Sequence, residues 1–308
     1  MLLGEIKRLD IQRFYNRLLT SGGKSPKRDE NGDVVKENGK IVYESVPLSV
    51  KTLHNIHGVM TKALGEAVKL ELIKKNPAED FVLPKVIRSE LTPLMDSQIK
   101  DFLSAVEKDR FANVLKVIPF CGFRIGEVTG LTWDCINWTK GTIKVYRQIQ
   151  KRPNKDGGLV FAPLKNNKSR EIKPAPFVMD ILKQQYEEQT ALQEKMGDKW
   201  TGWTSEEERK TALVFTMDNG RPINPATLWR HFKAIAAEIG VASCRVHDLR
   251  HTFAILSLEN GDDALTVSNN LGHAKPGFTL SVYGHVSETM RSKSSERMQE
   301  YYESLKCS

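Results

Sequence analysis

The chain contains 308 residues, of which 40% are hydrophobic and 27% charged, a composition typical of folded globular proteins that argues against wholesale disorder. Lys and Arg together number 46 against 38 Asp and Glu, and the resulting net charge of +8 favours a polyanionic partner such as nucleic acid. No apolar run reaches the roughly eighteen residues of a membrane span, and the first residues lack a signal-peptide core, so we expect a cytoplasmic protein.

The first predicted domain, residues 1–83, is helical. Apolar residues between Ile6 and Leu18 recur at helical spacing and predict a short amphipathic helix. Residues 21–45 then form a polar insert with two Asn-Gly pairs, which are turn signals. We interpret this insert as a mobile surface loop in preference to a hairpin that contacts DNA.

A second helix is predicted to begin after Ser49, a good capping residue, and to end at Asn76-Pro77. Its apolar positions recur at the helical period and predict one buried face. The opposite face carries groups that suit contact with a phosphate backbone: Lys51, His54, Asn55 and Lys62. A solvated polar face would show the same pattern, so both interpretations stay open.

Residues 84–93 contain two prolines and a run of mixed charge, which predict an interdomain linker. A second domain, residues 94–286, follows with helices over 97–106 and 110–119 and a further helix opening at Arg124. Strands over 141–150, 159–164 and 169–174 form one small sheet. The predicted fold class is therefore mainly α with a small antiparallel β-sheet.

The last segment, residues 287–308, is predicted to be a helical tail. Its apolar residues lie roughly on one side: Met290, Met298, Tyr302 and Leu305. Such a helix packs on its own domain or is exchanged into the groove of a neighbouring protomer.

The segment from Lys144 to Lys173 is strongly basic, with nine Lys or Arg residues against two acids. A solvated hairpin is rarely so one-sided, so we expect contact with the DNA backbone. The expected contacts are Lys144, Arg147, Lys151, Arg152, Lys168 and Arg170.

Short stretches elsewhere hold the residues that carry chemistry. Arg124 opens a helix with Glu127 one turn later, and Lys165 lies in a turn between strands. His247 and Arg250 share a helix face, and Tyr283 follows His273 by ten residues. The full set of expected catalytic residues is Arg124, Lys165, His247, Arg250, His273 and Tyr283, with Glu127 supporting Arg124.

These groups suffice to cleave a phosphodiester without a metal or a nucleotide cofactor. Tyr283 can attack phosphorus and hold the broken strand as an ester. Arg124 and Arg250 can clamp the charged oxygens of the transition state, and Lys165 can protonate the leaving oxygen. Lys168 competes with Lys165 for the acid role. The histidines can accept or share the tyrosine proton and donate to the phosphate.

The stretches GFRIGEVTGLTW, LKNNKSREI, VHDLRHTFA, NNLGHA and TLSVYGHV resemble, in order, the characteristic motifs of the tyrosine recombinases, or phage-type integrases. The likeness is strongest to integrases of conjugative transposons and related mobile elements of Gram-positive bacteria. Each expected catalytic residue maps onto a family catalytic position, and Lys165 is favoured over Lys168. The resemblance implies a core-binding domain and a catalytic domain that form a C-shaped clamp around duplex DNA, a 3′-phosphotyrosyl intermediate and a homotetramer on two sites.

Such relatives usually carry an N-terminal domain that binds arm sites, whereas this chain starts almost at the core-binding domain. The sequence therefore leaves open a shortened chain, a fragment or a simpler recombinase. It also leaves open the roles of the 21–45 insert and of residues 151–158 in target choice.

Three other functions compete with recombination. A metal pair at His247 and His251 lacks the Glu of a zinc hydrolase motif, and the scattered cysteines (Cys121, Cys135, Cys244 and Cys307) lack zinc-site spacing, so no metal is expected. A type IB topoisomerase uses nearly the same chemistry on one duplex, but the Leu-Gly-His stretch and its short spacing to Tyr283 favour a recombinase. A catalytically dead DNA-binding regulator would lack one of the groups, and none is missing.

Overall fold

The computed structural model describes residues 2–30, 32–87, 92–152, 158–165, 167–272, 277 and 288–306, excluding the side chains of 288–291. The described chain is mainly α-helical with short antiparallel strands, which confirms the predicted fold class. It divides into two compact units, Met1–Glu90 and Leu91–Ser308. Among the described residues, no helix is both long enough and apolar enough to cross a membrane.

Two helices build the first unit, α1 (Arg8–Ser21) and α2 (Val50–Lys69). Their facing sides bury a small core that consists of Ile11, Tyr15, Leu18, Leu53, Leu64 and Ala78. The Ser49 side chain accepts a hydrogen bond from the Thr52 amide and caps α2, in agreement with the sequence. His57 of α2 contacts the same core, and its Nδ1 lies 2.8 Å from the Tyr15 hydroxyl.

The polar insert, interpreted from the sequence as a mobile surface loop, contains regular secondary structure. It contains four short strands: β1 (Gly23–Pro26), β2 (Lys36–Glu37), β3 (Lys40–Ile41) and β4 (Tyr43–Val46). β1 pairs with β4 and β2 with β3, both antiparallel, so the insert folds back on itself as a ribbon. The Asn38-Gly39 pair makes its turn with positive φ angles of 50° and 75°, the conformation that favours these residues in hairpins.

The predicted end of the second helix at Asn76-Pro77 is also wrong, because α2 stops at Lys69. Glu71 adopts a φ of 57°, in the left-handed region, and reverses the chain direction. Asn76 then donates to the Thr61 carbonyl and accepts from the Ala78 amide. This residue therefore fastens the returning segment onto α2 and does not end the helix.

The second unit contains nine described helices and five described strands. The helices are α3 (Asp96–Val106), α4 (Ala112–Cys121), α5 (Ile125–Thr129), α6 (Pro176–Met196), α7 (Glu206–Lys210), α8 (Pro225–Glu238), α9 (Val246–Glu259), α10 (Ala264–Leu271) and α11 (Glu288–Lys306). The strands are β5 (Ile136–Asn137), β6 (Thr142–Val145), β7 (Arg147–Lys151), β8 (Leu159–Pro163) and β9 (Arg170–Ile172). One continuous apolar core joins α3, α4, α6, α8 and α9 to the inner face of the sheet.

The strands form two small sheets and not the single predicted one. β5, β6 and β9 form one sheet, and β7 and β8 form the other described sheet. The stretch 141–150, expected to be one strand, is divided at Tyr146. Ile143 and Val145 point into the core, but at the next alternate position the Arg147 guanidinium donates to the Thr132 hydroxyl at 2.5 Å. The chain leaves the first sheet there because a hydrogen-bonded guanidinium replaces a core side chain.

The tail helix α11 exposes its described apolar side chains. Met298, Tyr302 and Leu305 are among the exposed large hydrophobic residues. Met290 lies outside the described side chains. The polar side of the helix lies near the end of α9, where Lys293 Nζ is 3.4 Å from Asn260 Oδ1.

Candidate active site

Two of the expected catalytic residues line the same cleft in the second unit. Arg124 and His247 face a cavity of about 520 Å³, together with residues 148–151 of β7 and residues 224–226 at the start of α8. Arg124 immediately precedes α5, and His247 lies in the first turn of α9. Residues far apart in sequence are therefore brought together where two helices begin beside a strand.

Two glycines allow α5 to approach β7 closely enough to form one wall of this cleft. A Cβ on Gly126 would lie 2.7 Å from the Ile149 carbonyl oxygen, and one on Gly130 would lie 2.7 Å from the Ile149 amide nitrogen. Both contacts are with backbone, which cannot move aside easily. The two glycines thus fix the distance between Arg124 and the basic end of β7.

The Arg124 side chain is held by a carboxylate one turn later. Glu127 accepts from the Arg124 backbone amide at 3.0 Å and from Arg124 Nη1 at 2.6 Å. The extended backbone of Arg124, with φ −75° and ψ 151°, makes it the capping residue of α5. These two hydrogen bonds are the contacts through which Glu127 can support Arg124.

Glu127 is also held from inside by a second guanidinium. Its side chain is 1% exposed, and Arg170 donates to its two oxygens at 3.1 and 2.7 Å. Burial raises the pKa of Glu127, but hydrogen bonds and charge from Arg170, and then from Arg124, outweigh burial and bring the pKa to about 2. Glu127 is therefore a carboxylate at neutral pH.

The structure corrects the surface position that the sequence suggested for Arg170, and it shows partners within the protein for Arg147. The Arg170 side chain is 7% exposed, and its Nε donates to the Asn270 carbonyl at 2.7 Å. Arg147 stacks on the Tyr146 and Phe161 rings and pairs with Asp134 at 3.4 Å. The Arg170 side chain is therefore buried away from the surface, whereas the Arg147 side chain is 23% exposed and its contact with DNA stays a prediction.

Arg250 is more deeply buried than expected for a side chain that binds a phosphate at the surface. The residue is 2% exposed, and its Nη1 donates to the Gly122 carbonyl at 2.6 Å while Nη2 donates to the Leu271 carbonyl. These bonds join the end of α4, just before Arg124, to the end of α10, just before His273. Arg250 thus ties together the segments that carry other expected catalytic residues.

The two histidines of α9 are held in their neutral forms. The protein around the ring removes water and lowers the pKa of His247, and the charges of Arg250 and Arg124 lower it further. Burial is the main cause that lowers the pKa of His251 to about 4, and the charge of His247 is the second cause. The rings meet edge to face with centroids 5.0 Å apart. Within the described ranges, no group of three His, Cys, Asp or Glu side chains is placed to hold a metal.

Lys165 and Lys168 share the loop that joins β8 to β9. Both are exposed, and the loop is closed by a hydrogen bond from the Asn167 amide to the Leu164 carbonyl at 2.9 Å. Neither lysine is among the residues that line the cleft. His273 and Tyr283 lie outside the described residues, and so their positions relative to Arg124 stay predictions.

The remaining expected DNA contacts are mostly at the surface. The exposed ones are Lys51, Asn55, Lys62, Lys144, Lys151, Arg152 and Lys168. His54 is partly buried, with Nε2 2.8 Å from the Pro84 carbonyl oxygen. Lys151 lines the cleft with Arg124 and His247.

Several residues of the cleft were not singled out from the sequence. They are Gln148 and Gln150 on β7 and Asn224, Pro225 and Ala226 at the start of α8. The Asn224-Pro225 pair does signal a helix start, since Asn caps and Pro suits the first turn. The sequence could not place that helix beside Arg124, because the contact joins segments about 100 residues apart.

Comparison with known proteins gives the family. The model of the phage integrase family matches residues 92–290. A tyrosine recombinase XerC-like protein of Caldanaerobacter subterraneus is 24% identical, over 98% of this chain and 73% of its own length. The ICEBs1 integrase of Bacillus subtilis is 24% identical, over 82% of this chain and 66% of its own length. The chain is thus shorter than these relatives.

Solved structures show the same fold. The Tn1549 transposon integrase in complex with circular intermediate DNA superposes with a TM-score of 0.70 at 20% identity, over 96% of this chain and 86% of that one. A lambda integrase dimer bound to a core site gives a TM-score of 0.57 at 15% identity, over 91% and 81%. The predicted resemblance is confirmed, and the chain belongs to the phage integrase family of tyrosine recombinases.

Proposed function

We propose that this protein is a site-specific DNA recombinase that breaks and rejoins DNA through a 3′-phosphotyrosyl intermediate on Tyr283, with no metal or nucleotide cofactor. The observation that carries the proposal is the cleft in which Arg124, fixed by Glu127, faces His247 and Lys151. A fixed guanidinium, a neutral imidazole and a surface cation suit the binding of a phosphodiester.

The chemistry assigned to the site is a transesterification. The Tyr283 oxygen attacks phosphorus, the bond from phosphorus to the 5′-oxygen breaks, and Lys165 protonates that oxygen as it leaves. Arg124 stabilises the charge that develops on the non-bridging oxygens. Rejoining is the reverse reaction with a 5′-hydroxyl as nucleophile. The phosphotyrosine bond keeps the energy of the broken link, so no nucleotide is consumed.

The lowered pKa of His247 supports its role with the tyrosine proton. An imidazole that is neutral near pH 7 can accept a proton, whereas an imidazolium cannot. Arg250, held by the Gly122 and Leu271 carbonyls, contributes positive charge that acts on the His247 ring. We assign Arg250 to the phosphate clamp on this charge and on the family motif, and His273 shares the role of proton partner.

The proposed partner is double-stranded DNA at the recombination sites of a mobile element and its target. The Tn1549 and lambda integrases, which share the fold, were solved on DNA. We propose that the core-binding unit and the catalytic unit both contact the duplex, that four protomers assemble on two sites, and that the tail helix is exchanged between protomers. The reaction then takes place in the cytoplasm, on the nucleoid.

A suicide substrate tests the proposed function. Duplexes that carry the candidate ends of the element, nicked next to the cleavage position, release a short fragment after cleavage and trap the covalent complex. We expect an adduct that survives SDS. The regulator alternative predicts retarded DNA without an adduct. The topoisomerase alternative predicts efficient relaxation of a supercoiled plasmid that lacks any site, whereas a recombinase should leave it supercoiled.

Basic residues at the end of β7 provide a prediction about salt. Lys151→Ala and Arg152→Ala should weaken binding to specific and random duplexes alike, because backbone contacts carry no sequence information. Each change that removes a phosphate contact should reduce the slope of log K against log salt by about one unit. Binding isotherms at several salt concentrations measure this slope. Unchanged affinity and slope would mean that neither side chain contacts phosphate.

A further inference from the structure

Glu127 meets two guanidiniums, and only one of them faces the cleft. Arg124 lies at the cleft with a side chain that is 30% exposed, whereas the Arg170 side chain is 7% exposed and approaches the carboxylate from the protein side. The three groups together carry two positive charges and one negative charge. Arg170 has no place among the assigned catalytic residues, and its burial removes it from the DNA-contact surface.

The difference between one and two guanidiniums matters for a phosphate that binds in the cleft. A carboxylate paired with Arg124 alone would cancel the charge of that side chain and draw it toward the protein. A buried charge needs a partner of opposite charge, and Arg170 is that partner for Glu127 on the side away from the cleft. The carboxylate can then orient Arg124 while the group as a whole keeps one net positive charge toward the phosphate.

Arg170 also fixes the end of α10. Its Nε donates to the Asn270 carbonyl at 2.7 Å. Gly272, with a φ of 63°, follows in the left-handed region, and a Cβ there would lie 3.1 Å from Arg170 Cδ. A Cβ at this position would crowd the Arg170 side chain, and the positive φ of Gly272 also favours glycine. Arg170 thus joins β9, α5 and the end of α10.

Resting on the proposed function, we propose that Arg170 is a positioning residue for Arg124. It holds and neutralises Glu127 from the interior, so that Glu127 orients Arg124 without cancelling its charge toward the scissile phosphate. The proposal predicts that loss of Arg170 slows cleavage more than it weakens DNA binding, and that the effect depends on Glu127.

Single-turnover cleavage at saturating enzyme, on a duplex that the wild type cleaves, is measured for Arg170→Met, Arg170→Lys, Glu127→Gln and the double variant Glu127→Gln/Arg170→Met. We expect Arg170→Met to slow cleavage about 10- to 100-fold, less than the loss of a group that touches the transition state. Its affinity for DNA should stay within about threefold of wild type, since it makes no phosphate contact. Arg170→Lys keeps the charge but not the two-pronged geometry, and should recover part of the rate.

Arg209 provides a matched control, because it is a buried arginine of the same unit at another place. Its side chain is 5% exposed, and Nη2 donates to the Tyr186 carbonyl at 2.9 Å and to the Thr190 hydroxyl at 2.5 Å. Arg209→Met should lose stability in denaturant as Arg170→Met does. The folded Arg209→Met protein should cleave at close to the wild-type rate.

The double variant distinguishes positioning from general structural support. Once Glu127 is Gln, no carboxylate remains for Arg170 to neutralise, so the further loss of Arg170 should change the rate by less than about threefold. Multiplicative losses in the double variant, or Arg170→Met cleaving as fast as Arg209→Met, would overturn the proposal. If Arg170→Met does not fold, Arg170→Lys with and without Glu127→Gln gives the same comparison. A wild type without any adduct would contradict the proposed function instead.

Discussion

Lys165→Ala is expected to cleave a normal phosphodiester about 10²- to 10⁴-fold more slowly than the wild type, the range that general acids contribute. The departing 5′-oxygen would otherwise leave as an alkoxide, which is a poor leaving group. Replacing the bridging 5′-oxygen by sulfur removes that need, because a thiolate leaves without a proton. Single-turnover cleavage of the sulfur substrate by Lys165→Ala should therefore approach the wild-type rate.

Lys168 is the matched control for this experiment. It lies three residues away in the same exposed loop and carries the same charge. If Lys168 only contacts the DNA backbone, Lys168→Ala should lose affinity, and sulfur should not restore its rate selectively. Selective rescue of Lys168→Ala, with Lys165→Ala still slow on sulfur, would show that the two roles are reversed.

The sequence predicted correctly those elements that are set by interactions between residues close together in the chain. Ser49 caps α2 as its residue type indicates, and the helices near 97–106 and 110–119 appear within two residues of their expected starts. Errors arose where distant contacts decide the outcome. Arg147 divides an expected strand because its guanidinium finds Thr132, which the local pattern cannot show.

In the candidate site, too, a contact between near neighbours was predicted and a contact between distant residues was not. Arg124 and Glu127 were recognised because they lie one turn apart, and the structure joins them directly. Arg170 was assigned to the DNA surface because its neighbours in sequence are basic. Its actual partner, Glu127, lies 43 positions away, and only the folded chain brings the two together. Charge patterns therefore predicted that this segment is basic, but not which of its cations are buried.

The central claim is that Tyr283 forms the covalent bond to DNA. Tyr283→Phe keeps the aromatic ring and loses only the attacking oxygen, so we expect wild-type DNA affinity with no SDS-resistant adduct. Tyr302→Phe, a change at an exposed position of α11, is the control and should form the adduct normally.

The most direct measurement is mass spectrometry of the trapped complex after digestion of the protein and the DNA. A tyrosine recombinase that works as proposed should yield one modified peptide, with the nucleotide on Tyr283, from the wild type and from Tyr302→Phe. It should yield none from Tyr283→Phe. An adduct on another residue, or one that persists in Tyr283→Phe, would contradict the assignment of Tyr283 as the nucleophile.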